Sequence, residues 1–332
     1  MQQVKELGSY FYDRYKPIGF ISDQFDPKKV FIRSSDSDRA LTSAQTFIYG
    51  LYPAVGKFQF EDGLKWQPVP IHSSTPGEAD LLCKPTKVAC PRYDQLVAKS
   101  DAEDALKYNE KYFNFFEEVG PPMGLENASF YDINGMFDVS RELVHNLTDK
   151  QPSWVFKKWE EYGDKTSMDI VLEMRTARMN NQYDSDEKSR IYGGYLLKDW
   201  IQNALSSIAG TLKYNTVLYS SHDGTLLALL NALGIGNQMM IPYAAAVILE
   251  VYRDETNSTF VEVLYRNESN TVAYPMTLPY CAEPCSVQDF ARSYQNMTVD
   301  SLDEVLKMCQ TSSSWSNSVI ASFLLISLKL FS

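Results

Sequence analysis

The alternation of apolar and polar residues predicts two units in which a short strand leads directly into an amphipathic helix. The first unit has a strand pattern over 29–33, and its helix carries apolar residues at Leu41, Ala44, Phe47, Ile48 and Leu51. The second has a strand pattern over 216–219, and its helix carries apolar residues at Leu226, Leu227, Leu229, Leu230 and Leu233. Gly234 then offers a helix C-terminal cap. Units of this kind are typical of an α/β sheet.

His222 and Asp223 stand side by side at the turn where the second strand ends and its helix begins. In an open α/β sheet such turns lie at the carboxyl edge of the strands, where ligands bind and helix N-termini present free N–H groups to anions. The pattern therefore predicts an anion site. The alternative is that the pair only caps the helix and contacts solvent.

Arg39 falls in the first turn of the other helix, after a polar segment over 34–38 that supplies capping residues. The positive end of a helix dipole repels an arginine there unless an anion or an acidic neighbour lies beside it. A bound phosphate would remove that repulsion, and so would pairing of Arg39 with Asp36 or Asp38. Both interpretations stay open at this level.

Six segments follow one another in the order found in the histidine acid phosphatases of the prostatic and lysosomal branch, and the chain resembles that family from about Val4 to Cys309. The segments are 32–44, 68–72, 187–194, 221–223, 242–244 and 265–268. The resemblance implies an α/β fold with a three-layer mixed sheet flanked by helices and an inserted, mainly helical domain, of the phosphoglycerate-mutase-like type. It also implies that the first central strand of that sheet is missing here.

The composition of the chain changes over 77–200, where Lys, Glu, Tyr and Asn are frequent and helical patterns cover 101–119 and 154–174. By the resemblance, 77–200 is the helical insert, and 1–76 together with 201–310 form a discontinuous α/β domain. The last part, 311–332, is a polar spacer followed by a short hydrophobic tail. Three cations of the insert face either the substrate or solvent: Lys84, Lys87 and Arg92.

The resemblance implies a phosphomonoester hydrolase that works through a phosphohistidine intermediate without a cofactor. By the residue matches, Arg39 and His222 bind the phosphate oxygens and Asp223 protonates the leaving group. Phosphoryl transfer needs cations around the non-bridging oxygens and an acid for the departing alkoxide. A carboxyl group beside an arginine and an imidazolium normally stays ionised, so its use as an acid favours activity at low pH. The expected small-molecule partners are phosphomonoesters and inorganic phosphate, and no metal site is predicted.

The nucleophile of the family belongs to an Arg-His-Gly-x-Arg-x-Pro motif, which this sequence does not contain. The chain has three histidines, His72, His145 and His222, and none is followed by glycine with arginines at that spacing. We expect His72 to line the α/β core and His145 to be structural. Loss of the nucleophile predicts that turnover by this exact chain falls by several orders of magnitude.

Three functional hypotheses follow from the missing motif. The first is an acid phosphatase whose sequence is incomplete at its start or begins at an internal methionine. The second is a pseudo-phosphatase that keeps Arg39, His222 and Asp223 as a phosphate receptor. The third is a secreted or surface protein whose role does not depend on catalysis.

The composition agrees with a secreted globular enzyme. The chain has 332 residues, of which 44% are hydrophobic, enough for about two domains with a substantial core. Its net charge is −11, and the absence of a basic stripe argues against nucleic acid as a partner. The resemblance implies a homodimer, although no residue of the sequence decides that point.

Five cysteines favour an oxidising compartment. Cys281 and Cys285 lie too close together for a zinc site without a second ligand pair, so a short-range disulfide is the better interpretation. The resemblance implies a second disulfide between Cys90 and Cys309, which leaves Cys83 unpaired.

Glycosylation sequons begin at five asparagines: Asn127, Asn146, Asn257, Asn267 and Asn296. Together with the cysteines they predict a secreted, lysosomal or cell-surface protein. No secretory segment opens the sequence, which we take as further support for an incomplete start. The apolar tail after 318 is too short to span a bilayer. It resembles a lipid-anchor attachment signal, and the alternatives are a degenerate membrane anchor or a plain terminal helix.

Overall fold

The computed structural model describes residues 1–144, 146–269 and 271–311, so the expectations for His145 and for the tail beyond 311 lie outside it. The α-helices of the described residues are α1 (Gln2–Tyr15), α2 (Asp38–Leu51), α3 (Pro91–Lys111), α4 (Phe113–Val119), α5 (Ile133–Val144), α6 (Ser167–Asn180), α7 (Asp186–Ile208), α8 (Asp223–Ala232), α9 (Val287–Tyr294) and α10 (Leu302–Met308). The strands are β1 (Val30–Ser34), β2 (His72–Ser73), β3 (Lys158–Trp159), β4 (Lys165–Thr166), β5 (Thr216–Ser220), β6 (Ala246–Arg253), β7 (Thr259–Arg266) and β8 (Tyr274–Met276).

The strands form a parallel sheet in the order β2-β1-β5 and an antiparallel sheet in the order β6-β7-β8. Neighbouring residues of β5 face opposite sides of the parallel sheet, as side chains in a strand must. Leu218 packs with Ile32 and with residues of α1 and α2, whereas Tyr219 packs into a cluster built from α7, α8 and α9. Helices therefore cover both faces, and the predicted mixed α/β fold is confirmed.

Close helix contacts on both sides of the sheet depend on glycine. A Cβ at Gly8 of α1 would lie 2.0 Å from the carbonyl oxygen of Phe47 in α2. A Cβ at Gly193 of α7 would lie 2.4 Å from the carbonyl oxygen of Ala228 in α8. No side chain fits at either position without moving a helix, so α8 and the loop before it are held close to α7.

The helical pattern predicted over 154–174 is only partly present. Residues up to 166 form short 3₁₀ turns and the hairpin β3-β4, and the helix starts at Ser167, where Thr166 and Asp169 form a capping box. Gly163 and Asp164 have φ values of 74° and 59°, which reverse the chain and end any helix before them. The pattern over 101–119 is confirmed as helical, although the helix starts at Pro91 and breaks at Tyr112.

The prediction for His72 was wrong, because its side chain is exposed. It lies on the two-residue edge strand β2 and stacks on Phe31 with ring centroids 4.9 Å apart. An edge strand this short leaves its side chains in solvent, which the apolar alternation before His72 did not reveal.

Two disulfides connect the pairs expected from the sequence. Cys90 at the start of α3 is bonded to Cys309 at the end of α10, and Cys281 is bonded to Cys285. Cys83 is free and buried, and burial raises the pKa of its thiol to about 12. Among the helices of the described residues, none has the length and apolar character needed to cross a bilayer.

Candidate active site

The two predicted strand-to-helix junctions meet at one edge of the parallel sheet. Strands β1 and β5 run side by side in register, with Ser34 opposite Ser220 at their carboxyl ends. The chain then enters α2 at Asp38 and α8 at Asp223. Because parallel strands end at the same edge, the N-termini of both helices lie at one site.

His222 is the N-cap residue of α8, at the second junction, and its ring is held by three side chains of the first junction. Nη2 of Arg39 lies 3.2 Å from its Nδ1, and Oγ of Ser35 lies 2.9 Å from its Nε2. Oγ of Ser37 lies 3.4 Å from the same Nε2. An arginine can only donate, so Nδ1 accepts and the ring proton sits on Nε2, which donates to Ser35.

Electrostatics favour the neutral form of this imidazole. Burial lowers the pKa of His222 most, and the positive charges of Arg39 and Lys84 lower it further. The carboxylates of Asp223 and Asp36 act in the opposite direction and do not outweigh them. The ring is therefore uncharged at neutral pH and has the capacity to take up a proton when an anion arrives.

Asp223 is the first residue of α8, and it is exposed to solvent. Its Oδ1 accepts a hydrogen bond of 2.9 Å from the N–H of Gly224. A carboxyl group in this position contacts solvent, the helix N-terminus and the imidazole loop at once, which suits a group that exchanges a proton with a ligand.

The cations near the site fall into two groups. Lys87 pairs with Asp36 at 2.7 Å, and Arg92 pairs with Glu187 at 2.8 Å. Lys84 and Arg39 have no carboxylate partner within the described ranges, and both act on His222. The alternative in which Arg39 pairs with Asp36 or Asp38 is not what the structure has: within the described residues no ion pair joins Arg39 to either carboxylate, and Asp36 is bound by Lys87.

A buried carboxylate, that of Asp80, stabilises the loop that carries His222 and Asp223. Asp80 is 2% exposed, binds Nη2 of Arg33 at 3.1 Å, and accepts the N–H of Cys83. The carbonyl oxygen of Cys83 in turn accepts the hydroxyls of Ser221 and Thr225, at 2.7 and 3.1 Å. The residues on both sides of the His222-Asp223 pair are thus tied to one rigid turn.

The sequence pattern did not identify Ser35, Ser37 or Asp80, which hold His222 and its loop in place. The hydroxyls of Ser35 and Ser37 lay in a segment predicted only to cap α2, and Ser37 is the N-cap residue without a side-chain cap bond. Asp80 gave no signal, since its partners are distant in the sequence. The structure brings Arg39, His222 and Asp223 together as expected for one site.

Most of the sequon asparagines lie at the surface. Four of them are exposed and Asn267 is half-buried; the exposed ones are Asn127, Asn146, Asn257 and Asn296.

Comparison with known proteins identifies the family to which the chain belongs. Residues 1–266 match the model of the histidine phosphatase superfamily (branch 2). The chain is similar to the prostatic acid phosphatase of Rattus norvegicus, with 33% identity over 294 residues that cover 88% of this chain and 74% of that protein. It is also similar to the lysosomal acid phosphatase of Homo sapiens, with 33% identity, covering 88% of this chain and 67% of that protein.

Solved structures with the same fold include two bacterial phytases. That of Citrobacter braakii gives a TM-score of 0.63 at 15% identity, covering 92% of this chain and 87% of that one. That of Klebsiella sp ASR1 gives a TM-score of 0.63 at 15% identity, covering 90% and 84%. At such identity these structures support the fold alone, whereas the sequence matches to the acid phosphatases decide the family. The chain belongs to the histidine phosphatase superfamily, branch 2, and is an acid phosphatase-like hydrolase.

Proposed function

We propose that the site binds the charged head of a phosphomonoester and that Asp223 protonates the oxygen that leaves. The observation that supports this most directly is the 3.2 Å contact between Arg39 and His222, which joins an arginine without a carboxylate partner in the described ranges to a neutral imidazole. An arginine held in the first turn of a helix needs an anion beside it. A phosphate head between α2 and α8 supplies that anion.

In this proposal each group has a separate task. Arg39 and Lys84 offset the charge of the non-bridging oxygens, and His222 becomes an imidazolium as the anion binds. The N–H groups at the start of α8 add a favourable dipole. Asp223 gives its proton to the leaving oxygen when the P–O bond breaks, and the phosphoryl group passes to a water molecule.

The rate of hydrolysis that we expect depends on whether the chain has a nucleophile. The family uses a histidine from a motif that this sequence lacks, and the edge histidine His72 is exposed and stacked on Phe31. His222 has both ring nitrogens engaged, by Arg39 and Ser35. We therefore propose that this chain binds phosphomonoesters but turns them over several orders of magnitude more slowly than an enzyme with its nucleophile.

We also propose that the segment 77–200 forms a helical part covering the site, as the sequence suggested, with 1–76 and 201–310 as the α/β part. Lys84 from that segment acts on His222, which supports the arrangement. The four exposed sequon asparagines and the two disulfides support a glycoprotein of the secretory or lysosomal route.

Binding of inorganic phosphate, measured by calorimetry, tests the proposal. We expect Arg39→Gln to weaken binding by about 10- to 100-fold, since a charge-assisted hydrogen bond is lost. Arg92→Gln is the matched control, because that arginine already pairs with Glu187, and it should leave the affinity unchanged. Hydrolysis of p-nitrophenyl phosphate in acidic buffer is followed in parallel. A wild-type chain that melts cooperatively but binds no phosphate would refute the proposal.

A further inference from the structure

Tyr183 is a buried tyrosine whose hydroxyl points at the start of the helix that carries Asp223. The residue is 1% exposed, and its hydroxyl has no hydrogen-bond partner within 1–144, 146–269 and 271–311. The hydroxyl lies 2.7 Å from the point where a Cβ at residue 224 would be, so only glycine fits there. A buried hydroxyl without a partner is unfavourable.

Hydrogen bonds of the turn that carries Tyr183 fix the position of its ring. The N–H of Tyr183 donates to the carbonyl oxygen of Asn180 at 2.8 Å, and its own carbonyl oxygen accepts the hydroxyl of Ser189 at 2.8 Å. The buried ammonium of Lys188 donates to the carbonyl oxygen of Asn181 at 2.6 Å. These bonds fix the main chain on both sides of the ring, so the direction of the hydroxyl is built into the fold.

Asp223 is the carboxylate that lies near this hydroxyl. Gly224, which the hydroxyl contacts, directly follows Asp223 at the start of α8. Burial raises the pKa of the Tyr183 phenol most, and the nearby carboxylate of Asp223 raises it further. The phenol therefore stays protonated and keeps its proton for donation. The hydroxyl of Tyr93 lies close enough to that of Tyr183 to lower the pKa of Tyr183, although the two hydroxyls do not meet in good hydrogen-bond geometry.

We propose that Tyr183 is a positioning residue that donates a hydrogen bond to the Asp223 carboxyl group and orients it toward the leaving oxygen. The inference rests on the proposed function of Asp223 as the acid. Oδ1 of Asp223 is held by the N–H of Gly224, so the second oxygen is the one that accepts from Tyr183. Tyr183 keeps its own proton throughout, and the proton that reaches the leaving oxygen comes from Asp223.

Nuclear magnetic resonance of the full chain labelled with 13C at the tyrosine ζ-carbon tests this contact without any need for turnover. Tyr183→Phe assigns the signal, and we expect Asp223→Asn to shift it. The chain contains its own positive control: the hydroxyl of Tyr219 donates to Asp199 at 2.7 Å, so Asp199→Asn must shift the Tyr219 signal. A Tyr183 signal that does not respond to Asp223→Asn, while Tyr219 responds to Asp199→Asn, overturns the inference.

Kinetics then separate positioning from packing. Tyr183→Phe keeps the ring, so we expect kcat for p-nitrophenyl phosphate to fall about 10- to 100-fold with KM unchanged. Tyr294→Phe removes the hydroxyl of another buried tyrosine, which donates to the carbonyl oxygen of Leu233 at 3.0 Å, and should leave kcat unchanged. If the wild type binds no phosphate while the Tyr183 signal responds to Asp223→Asn, the proposed function fails and the hydrogen bond stands. If phosphate binds but the Tyr183 signal does not respond to Asp223→Asn, the proposed function stands and the hydrogen bond between Tyr183 and Asp223 is refuted.

Discussion

Arg39 and His222 are 183 positions apart in the sequence, yet Nη2 of the arginine lies 3.2 Å from Nδ1 of the imidazole. This contact decides the state of the histidine. Because the guanidinium can only donate, it selects the tautomer with the proton on Nε2. This N–H donates a hydrogen bond to Oγ of Ser35, which lies 2.9 Å away. The positive charge of Arg39 also opposes protonation of His222, so the ring stays neutral until a bound anion offsets that charge.

Removing the charge of Arg39 should make His222 more basic. We expect Arg39→Gln to raise the pKa of His222, because the guanidinium is the largest electrostatic cause of its depression, while burial keeps the pKa below the ordinary value. A pH titration followed by the ring resonances of His222 measures the change. Arg92→Gln removes an equal charge outside the site and should have no effect. Identical titration curves for wild type and Arg39→Gln would mean that the two groups do not interact in solution.

Anion binding should strengthen as the pH falls. The pKa of His222 is depressed, so the ring is neutral near pH 7 and becomes charged as the pH falls through that depressed value. An anion favours the charged form, so binding takes up a proton. Sulfate is a suitable probe because its charge stays constant between about pH 5 and 8. Calorimetry should show tighter binding at the acidic end, and His222→Gln should abolish the dependence. Equal affinity across this range would contradict the assignment.

The close contact between α7 and α8 sets the position of the His222 loop. A Cβ at Gly193 would lie 2.4 Å from the carbonyl oxygen of Ala228, so Gly193→Ala must push α8 away. We expect a loss of about 1–3 kcal/mol in the free energy of unfolding, as for other overpacked positions. Gly135→Ala in α5 is the control, since a Cβ there meets nothing within 4 Å.

Helix propensity alone predicts that Gly135→Ala is neutral or stabilises by about 0.5–1 kcal/mol. Urea unfolding of both variants measures the difference. If Gly193→Ala proves as stable as Gly135→Ala, the two helices do not approach as closely as described. Phosphate affinity should fall in Gly193→Ala and stay unchanged in Gly135→Ala, because only the first substitution displaces α8.

The parts of the fold that the sequence predicted are those set by local patterns. The strand Thr216–Ser220, the helix Asp223–Ala232 and Gly234 after it, with φ at 70°, follow directly from apolar spacing and one glycine. The hairpin before Ser167 was missed because its apolar residues repeat at near-helical spacing, while the turn at Gly163 and Asp164 decides the structure.

The site shows the same division. Arg39, His222 and Asp223 were predictable because each stands at a strand-to-helix junction, and the sheet brings such junctions together. Asp80 and Tyr183 were not predictable. Asp80 acts through its contact with Arg33, which is distant in the sequence, and the position of Tyr183 depends on its burial. Lys84, Lys87 and Arg92 looked alike in the sequence, and only their carboxylate partners separate them.

The disulfide between Cys90 and Cys309 should matter far more for stability than that between Cys281 and Cys285. The first joins residues separated by 219 positions and the second residues separated by 4. Because a crosslink restricts the unfolded chain more when it closes a longer loop, we expect Cys90→Ala with Cys309→Ala to cost roughly 2–5 kcal/mol. On the same chain-entropy scale, Cys281→Ala with Cys285→Ala should cost about 3 kcal/mol less. Paired substitution leaves no new thiol behind, and urea unfolding compares the two variants directly. Equal losses would show that the long crosslink restricts an unfolded chain that is already compact around it.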